Sequence, residues 1–430
     1  MRRASSNENK NSLLSQNTAS MSIAYVDCNF HPSLIFNTRI CYSYDKSVSY
    51  YPCFPDINSA VEHLTASSTH NLLLDENTLM EATVKVLGSG EGSEMQCNSE
   101  KNRNIGENLR LHNMEITIQG DEDGSVVIDC ENEGRAFDLR TSGIVNIQDL
   151  TITNCTPRSG PDSGGAIIGS MYANKALEFG NIIFRQNYAY DNGGAIALVD
   201  MDTSGASERF FHDGRSDHID EESSSSKKSS YTGPMAIFRN CLFEENSAEN
   251  IGGAIYLETT SESNVPNRSR AKFENCKFDS NNAIAGGALL AYSPDSSSFS
   301  DRYERCVFSS NVAQERGGAV DYFSPSSSMS ISDLSKLESN PTASIAMTTF
   351  SDCIFQGNLA LGGTTTNSNS NMQISVRGGA GGAVHSVSVA MEFDSCVFDS
   401  NEGVFTSCHI ICKTLFFYLD NLLTMFSMLL

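Results

Sequence analysis

The chain has 430 residues, of which 39% are hydrophobic. This is enough apolar material for a continuous core, in two or three ordinary domains or in one elongated solenoid. The 52 acidic residues outnumber the 29 basic ones, for a net charge of −23 at pH 7. Affinity for nucleic acid depends largely on clustered cations, so we expect no nucleic-acid partner.

Residues 1–52 are treated as an N-terminal segment. Its first twenty residues are polar and predicted to be disordered, and residues 21–52 are left without an assignment. The first residues are basic, but no apolar run of the kind that directs secretion follows them. No signal peptide is therefore visible in this sequence.

Residues 53–113 are predicted to form an N-terminal cap and the first coil of a solenoid. Within Asp56–Leu64, four apolar residues fall on one helical face, namely Ile57, Ala60, Val61 and Leu64. An open end of a stacked β-structure would expose unpaired strand edges. We therefore expect a short amphipathic helix that covers this end.

Residues 114–155 contain short β-rich runs that are separated by Gly, Asp and Asn. The runs are Ile116–Ile118, Val126–Ile128, Ala136–Leu139 and Val145–Ile152. Their lengths and spacing predict the strands of successive coils, and we place the solenoid itself at residues 114–407.

One phrase, aromatic-x-x-Cys-x-Phe-x-x-Asn, recurs in the second half of the chain, and such internal repeats are typical of solenoids. A second phrase, Gly-Gly-Ala followed by Ile, Leu or Val, comes a few residues later in most copies. Complete copies of the first phrase are Phe238–Asn246, Phe273–Asn281, Tyr303–Asn311, Phe350–Asn358 and Phe393–Asn401, with a weaker copy at Phe184–Asn187.

The repeat unit is predicted to consist of three short strands rather than helices. The apolar stretches are short, rich in Phe, Ile, Val and Tyr, and show no sustained helical periodicity. Extra length between copies falls in Ser-rich stretches, which cannot bury enough apolar surface to become ordered. We therefore expect disordered loop inserts at about 202–233, 324–346 and 364–376.

Stacked copies would place equivalent side chains about 4.8 Å apart, so that they form structural ladders along the solenoid. The cysteine ladder is predicted to contain Cys155, Cys241, Cys276, Cys306, Cys353 and Cys396. The phenylalanine ladder is predicted to contain Phe184, Phe243, Phe278, Phe308, Phe355 and Phe398. The asparagine ladder is predicted to contain Asn187, Asn246, Asn281, Asn311, Asn358 and Asn401.

Two alternatives remain open for the cysteines. The expected spacing of adjacent coils permits disulfide bonds, but parallel side chains point the same way and free cysteine packs well as a small apolar residue. We therefore favour buried thiols.

The paired glycines are predicted to form corners of the coil, where positive φ or close backbone approach excludes larger residues. These corner glycines are Gly164, Gly165, Gly193, Gly194, Gly252, Gly253, Gly286, Gly287, Gly317, Gly318, Gly381 and Gly382.

The two alternating phrases, over residues 160–401, resemble the repeats of the chlamydial polymorphic membrane protein family. Residues 54–155 resemble the opening of pectin-lyase-like β-helices. The resemblance implies an all-β, right-handed parallel β-helix that is secreted or exposed at a cell surface, with adhesion as the usual role. The last copy, Asn401-Glu-Gly-Val-Phe405, lacks Gly-Gly-Ala, and membrane anchoring is not carried over from the family.

Pectin-lyase-like enzymes supply the rival interpretation, since fold does not fix function. The sequence contains no Gly-His-Gly tripeptide and no nucleotide, zinc-protease or serine-hydrolase motif. Single aspartates, which are usually turn formers, are scattered through the chain at Asp129, Asp138, Asp149, Asp200 and Asp321. Cys408 and Cys412 flank His409 without a further ligand set. We therefore expect no catalytic, cofactor or metal site.

Residues 408–430 form an apolar C-terminal tail. The stretch 410–430 is about long enough to span a bilayer, but Lys413, Asp420 and Asn421 interrupt it. A central Asp costs about 2.5–3.5 kcal/mol on insertion. We favour a cap on the last coil, or the tail of an incomplete gene product, over a membrane span.

The expected function is that of a non-catalytic scaffold, at a cell surface or secreted, that engages an unknown protein or glycan. The alternative is a polysaccharide lyase or glycoside hydrolase. An enzyme would show a groove with several carboxylates, or a carboxylate and an arginine, within about 6 Å.

Overall fold

The computed structural model describes 21 segments of the chain between residues 22 and 426. They are 22–26, 40–41, 51–54, 59–60, 63–64, 80–86, 95–96, 114–120, 126–139, 144–157, 163–170, 177–199, 236–259, 270–293, 300–324, 347–362, 381–387, 389–403, 410–412, 415–419 and 422–426. The first twenty residues and the predicted inserts at 202–233 and 364–376 lie outside these segments, as does the insert at 324–346 apart from Ser324.

Short strands already occur in the N-terminal part of the chain. They are β1 (Ser22–Val26), β2 (Ile40–Cys41), β3 (Tyr51–Phe54), β4 (Met80–Val86) and β5 (Met95–Gln96). β1 pairs in parallel with both β3 and β4, while β2 is antiparallel to β3. The stretch 21–52 that the sequence left unassigned thus contributes strands to the first wall of the solenoid.

The predicted N-terminal helix is represented by four described residues. Ser59, Ala60, His63 and Leu64 have helical backbone, and Ala60 and Leu64 are buried, as the apolar face predicts. The rest of Asp56–Leu64 lies outside the described residues, so its role as a cap stays a prediction.

The next coils contain three strands each. The strands are β6 (Met114–Gln119), β7 (Val126–Asp129), β8 (Phe137–Leu139), β9 (Ile144–Gln148), β10 (Thr151–Thr153) and β11 (Ile167–Ser170). The predicted single run Val145–Ile152 is therefore two strands. It breaks because Asp149 adopts a φ of 60°, which turns the chain at a corner.

From residue 177 to residue 387, each coil has four strands, because a short strand follows the ladder asparagine and precedes the glycine pair. The prediction of three strands missed this element. The first two of these coils contain β12 (Leu177–Gly180), β13 (Ile183–Arg185), β14 (Tyr188–Ala189), β15 (Ile196–Val199), β16 (Ala236–Arg239), β17 (Leu242–Glu244), β18 (Ser247–Ala248) and β19 (Ile255–Glu258).

The remaining coils repeat the same order. They contain β20 (Ala271–Glu274), β21 (Lys277–Asp279), β22 (Asn282–Ala285), β23 (Leu289–Tyr292), β24 (Arg302–Glu304), β25 (Val307–Ser309), β26 (Val312–Arg316), β27 (Val320–Phe323), β28 (Met347–Ser351), β29 (Ile354–Gln356), β30 (Leu359–Ala360) and β31 (Val384–Val387). The chain then continues through β32 (Ala390–Asp394), β33 (Cys396–Asp399), β34 (Ile410–Cys412), β35 (Leu415–Leu419) and β36 (Leu422–Phe426).

Within the described residues, these strands form four stacked sheets, which we number in the order that a coil visits them. Sheet 1 has 13 strands and sheet 2 has 11, and they contain the first and second strands of each coil. Sheet 3 has 5 strands (β14, β18, β22, β26, β30), and sheet 4 has 7 (β8, β11, β15, β19, β23, β27, β31). Equivalent strands of consecutive coils pair in parallel and in register, as in β16 with β20. The predicted parallel β-helix is confirmed.

The C-terminal tail is built of strands in this structure. β34 extends sheet 1 and β35 extends sheet 2, while β36 folds back antiparallel to β35. No helix in the described part of the chain is long and apolar enough to cross a membrane.

Candidate functional site

The asparagine ladder runs along the corner between sheets 2 and 3. Each ladder side chain donates from Nδ2 to Oδ1 of the next asparagine at 2.8–3.0 Å, and each backbone N–H donates to the same oxygen. The second Nδ2 proton goes to a backbone carbonyl of the preceding coil, such as Phe243 O for Asn281. Every polar atom of Asn281 is thereby used, although this side chain is fully buried.

Two aromatic ladders fill the interior. One contains the predicted set from Phe184 to Phe398, with neighbouring ring centroids 4.7–5.0 Å apart. The second was not singled out in the sequence, although it is formed by the aromatic residue that opens each copy of the repeat. It contains Phe179, Phe238, Phe273, Tyr303, Phe350 and Phe393. The two ladders meet edge to face, as at Phe238 and Phe243.

The cysteine ladder contains five of the six predicted residues, Cys241, Cys276, Cys306, Cys353 and Cys396, all as buried free thiols. Their Sγ–H groups lie within hydrogen-bonding distance of backbone carbonyls, as Cys276 does of Phe238 O at 3.5 Å. Burial raises the pKa of the Cys276 and Cys306 thiols, which keeps them protonated and unreactive.

Cys155 does not belong to this ladder, contrary to the prediction. In the two coils before Cys241, the position equivalent to this cysteine is held by Leu150 and Ile182. The backbone N–H of Cys155 instead donates to Oδ1 of Asn187 at 3.0 Å. Cys155 therefore occupies the position that asparagine takes in later coils. It forms a disulfide bond with Cys130, with the Cα atoms 4.7 Å apart. The dipeptide Asn154-Cys155 resembled the later copies, but it lies at a different corner of the coil.

The glycine pairs lie at the corner between sheets 3 and 4, and each member has its own reason to be glycine. The first glycine of every pair has a φ between 62° and 73°, as at Gly252. The second has no space for a side chain: a Cβ on Gly253 would overlap the carbonyl oxygen of Gly287 in the next coil. This fold brings the residues just before the glycines onto the outward face of sheet 4.

We call the outward surface where the end of sheet 3 meets sheet 4 the outer corner. In the earlier coils it is mainly apolar: Asn192 is a buried polar residue there, and the buried hydrophobic residues are Ile168, Ala197, Val199, Tyr256, Ala285 and Leu290. In the last two coils it is ionic. In successive coils, Asp321 occupies the position equivalent to Leu290, and His385 the position equivalent to Asp321. Arg316 occupies the position equivalent to Ala285.

Asp321 binds both of its new neighbours. Its Oδ2 accepts from Arg316 Nε at 2.6 Å, and its Oδ1 lies 2.7 Å from His385 Nδ1. Asp321 is fully buried, His385 is 8% exposed and the Arg316 side chain is 32% exposed. The view of Asp321 as an isolated turn aspartate is therefore wrong, because the fold joins it to residues 5 and 64 positions away in the sequence.

Two other aspartates of the scattered group accept hydrogen bonds at corners of the coils. Asp129 accepts from the backbone of Glu131 and from Asn154, and Asp149 accepts from Gln119 and Asn181 at a corner with positive φ. Asp138 lies in β8, and Asp200 lies outside the described residues.

A second polar cluster lies inside the solenoid, where sheet 4 leads into sheet 1. Arg270 Nη2 donates to Asp301 Oδ2 at 2.8 Å, and both side chains are at most 1% exposed. Tyr322 donates its hydroxyl to the same Asp301 oxygen at 3.0 Å and lies 2.8 Å from the Tyr303 hydroxyl. Arg270 Nη1 reaches Thr259, so the cluster joins strand ends on either side of residues 260–269.

Among the described residues, no group of three or more His, Cys, Asp or Glu side chains is placed to hold a metal ion. Cys408 and His409 lie outside them, and of Cys412 only the backbone is described.

Two segments of the chain, residues 181–198 and 240–258, match the model of the Chlamydia polymorphic membrane protein repeat. No curated protein and no solved structure shows significant similarity to the chain. Each matched segment contains one ladder phenylalanine, one ladder asparagine and one glycine pair, which are the groups that the structure buries or turns. Both segments that match this repeat model fold as coils of the parallel β-helix.

Proposed function

We propose that this protein is a non-catalytic β-helix scaffold, displayed at a cell surface or secreted, that binds a protein or glycan partner. The observation that carries the proposal is the contrast between inward and outward positions of the same strands. The inward aromatic columns of sheets 1 and 2 repeat Phe from coil to coil, with Tyr303 as the one exception. Sheet 2 has two outward columns: one is mainly aliphatic, and the other varies in charge and reads Arg185, Glu244, Asp279, Ser309, Gln356 and Asp399.

A constant interior with a variable surface is what a display scaffold needs, because the ladders fix the backbone while outward residues are free to meet a partner. The match to repeats of a membrane-protein family supports a surface location. The ladder asparagines, cysteines and glycines form the hydrogen bonds and close contacts between coils, so we assign them a structural role and no catalytic one.

The location is tested by treating intact cells of the source organism with protease and following the native chain with an antibody. Cleavage on intact cells, or recovery of the chain from the medium, is expected. A chain that becomes protease-sensitive only after lysis would contradict surface display and secretion.

The binding role is tested with the labelled chain on a panel of cultured cells and on an array of glycans. We expect saturable binding, and no product from acidic polysaccharides with or without calcium. Absence of binding to every cell type and glycan tested would contradict the scaffold role.

The alternative enzyme function is favoured by one observation, the cluster of Arg316, Asp321 and His385. Asp321 is fully buried with both oxygens engaged, so His385 is the group that could exchange a proton with a substrate. If the wild type degrades a polysaccharide and the His385→Gln variant does not, the protein is an enzyme and the non-catalytic role is contradicted.

A further inference from the structure

The ionic part of the outer corner departs from the pattern of the preceding coils. One outward column of sheet 4 begins at Asp138, continues through four uncharged residues, and ends with two titratable ones; in order it reads Asp138, Ile168, Ala197, Tyr256, Leu290, Asp321 and His385. The neighbouring column at the end of sheet 3 changes from Ala285 to Arg316 at the same level. Two columns therefore switch from apolar to charged side chains together.

Stability does not explain this switch. A buried ion pair is commonly no more stabilising than well-packed apolar residues of similar volume, because desolvation offsets the attraction. Leu290 and Ala285 show that apolar residues fit the same positions one coil earlier. Departures from a local structural pattern concentrate at functional sites.

The hydrogen bonds of Asp321 leave specific donor and acceptor atoms available. Arg316 donates to Asp321 through Nε. Its two terminal nitrogens remain as a planar pair of donors that matches the two oxygens of a carboxylate. His385 is held through Nδ1, so Nε2 is the ring atom left for a ligand. In the tautomer whose Nδ1–H donates to Asp321, Nε2 is the hydrogen-bond acceptor for a hydroxyl group.

Two aromatic rings lie beside these groups. The Arg316 guanidinium lies 5.1 Å from the centroid of the Phe323 ring, which restricts its orientation. Tyr292 of the preceding coil lies 6.1 Å from Phe323, with ring planes 25° apart. Both rings are half-buried and stack on each other, so that their exposed parts form an apolar patch on the outside of the solenoid.

We infer that Arg316, His385, Phe323 and Tyr292 form a binding site for a carboxylate-bearing sugar. The apolar face of the sugar packs against the exposed parts of the two aromatic rings. Its carboxylate accepts from the two terminal nitrogens of Arg316, and a ring hydroxyl donates to His385. Asp321 is the positioning residue that orients the arginine and the histidine. This inference rests on the proposed function, since it names the ligand class of a glycan-binding scaffold.

The test compares binding of the full-length wild type and its variants to immobilised oligouronates, sialosides, sulfated glycans and neutral glycans. A carboxyl-reduced form of the same oligouronate and poly-glutamate complete the panel. Uronates and sialosides are the two sources of a sugar carboxylate, so their separate arms show which one binds. We expect wild-type binding to at least one of them, with at least tenfold weaker binding to the carboxyl-reduced form.

Arg316→Met is expected to weaken this binding at least tenfold, and Arg316→Lys to weaken it less, because lysine keeps the charge but not the planar pair of donors. Arg239→Met is the matched control, since Arg239 is an exposed arginine that pairs with Glu178 and Glu274 on sheet 1. It removes the same charge and is expected to leave binding unchanged. His385→Gln and Phe323→Leu provide independent variants, and circular dichroism shows which variants keep the fold.

Equal binding by folded Arg316→Met and Arg239→Met would overturn the inference, and so would unchanged binding of the carboxyl-reduced glycan. Binding of poly-glutamate in place of any glycan would show that the site takes acidic peptides instead. In these outcomes the scaffold function stands. A wild type that binds no cell and no glycan contradicts the proposed function, and the inference fails with it.

Discussion

A buried asparagine is costly unless all of its hydrogen-bonding atoms are used, and in this chain only the stack supplies the partners. Asn281 accepts from Asn246 and donates to Asn311, in coils that lie on either side of it. Its remaining amide proton reaches Phe243 O. The side chain therefore stabilises three coils together, although an isolated repeat would leave it unsatisfied.

Asn281→Ala tests this role. The substitution removes the Oδ1 acceptor that the backbone N–H and the side-chain amide of Asn246 share in the interior. We expect a loss of about 2–4 kcal/mol, since each buried unsatisfied group costs about 1–3 kcal/mol. The urea midpoint of unfolding, followed by circular dichroism, measures the loss.

Asn282→Ala is the control, because Asn282 is the next residue and its side chain is exposed. A change of less than about 0.5 kcal/mol is expected there. Similar losses for the two variants would show that the ladder hydrogen bonds are not the source of the stability.

The glycine pairs make a second prediction at this scale. Gly253→Ala forces a methyl group into the backbone of the next coil, at the carbonyl of Gly287, and we expect the protein not to fold. Gly357→Ala is the control: Gly357 has a φ of 60°, but a Cβ there would meet nothing within 4 Å. Its cost is expected to be about 1 kcal/mol, from backbone strain alone. Soluble expression and thermal melting distinguish the two, and a stable Gly253→Ala protein would exclude the close approach.

The ladder phenylalanines, asparagines and corner glycines could be read from the sequence, because each repeats in fixed order with the same neighbours. The ionic outer corner could not, because Asp321 and His385 are brought together only by register across long inserts. Cys155 was misplaced for a related reason. A short motif gives the residue types of a corner but does not say which corner of the coil it forms.

Elements were predictable where they repeat and have sufficient length. Three strands were predicted in each repeat: one that ends at the first aromatic, one that contains the ladder phenylalanine, and one that follows the glycines. The short strands of sheet 3 were not predicted. Strands such as β14 and β18 have only two residues, which is too short for any periodicity to show. Their inward alanines, Ala189, Ala248 and Ala283, form a small cluster separate from the main core.

The strands that flank residues 260–269 are held by the interior polar cluster. Asp301→Asn removes the charge that Arg270 pairs with in the core, while nearly preserving volume. We expect a loss of about 3 kcal/mol, because breaking one partner of a buried pair leaves the other charge uncompensated. The urea midpoint measures this loss.

Glu304→Gln is the matched control, since Glu304 pairs with Lys272 on the exposed side of the same coil, at 3.3 Å. An exposed pair contributes less than about 1 kcal/mol. Equal effects of the two substitutions would mean that Arg270 does not depend on Asp301.

At the scale of the whole molecule, the chain is a one-dimensional stack in which each coil contacts its neighbours. Height along the axis depends on the number of coils and not on the number of residues. The inserts change the sequence separation of equivalent residues from 30 to 59 without changing their register. This is why motif order could predict the fold while variable spacing obscured the contacts.

The most direct test of the stack is a set of distances by pulsed electron spin resonance between labels on the mainly aliphatic outward column of sheet 2. A keto amino acid, introduced in pairs and labelled with a nitroxide, leaves the cysteines untouched. Ile183 with Ile354, and Leu242 with Val397, are each four coils apart, so we expect the same distance, with Cβ atoms roughly 19 Å apart. Ile183 with Val397 should be longer by about 5 Å, one further coil. Distances that follow sequence separation, or that spread broadly, would contradict the stacked β-helix.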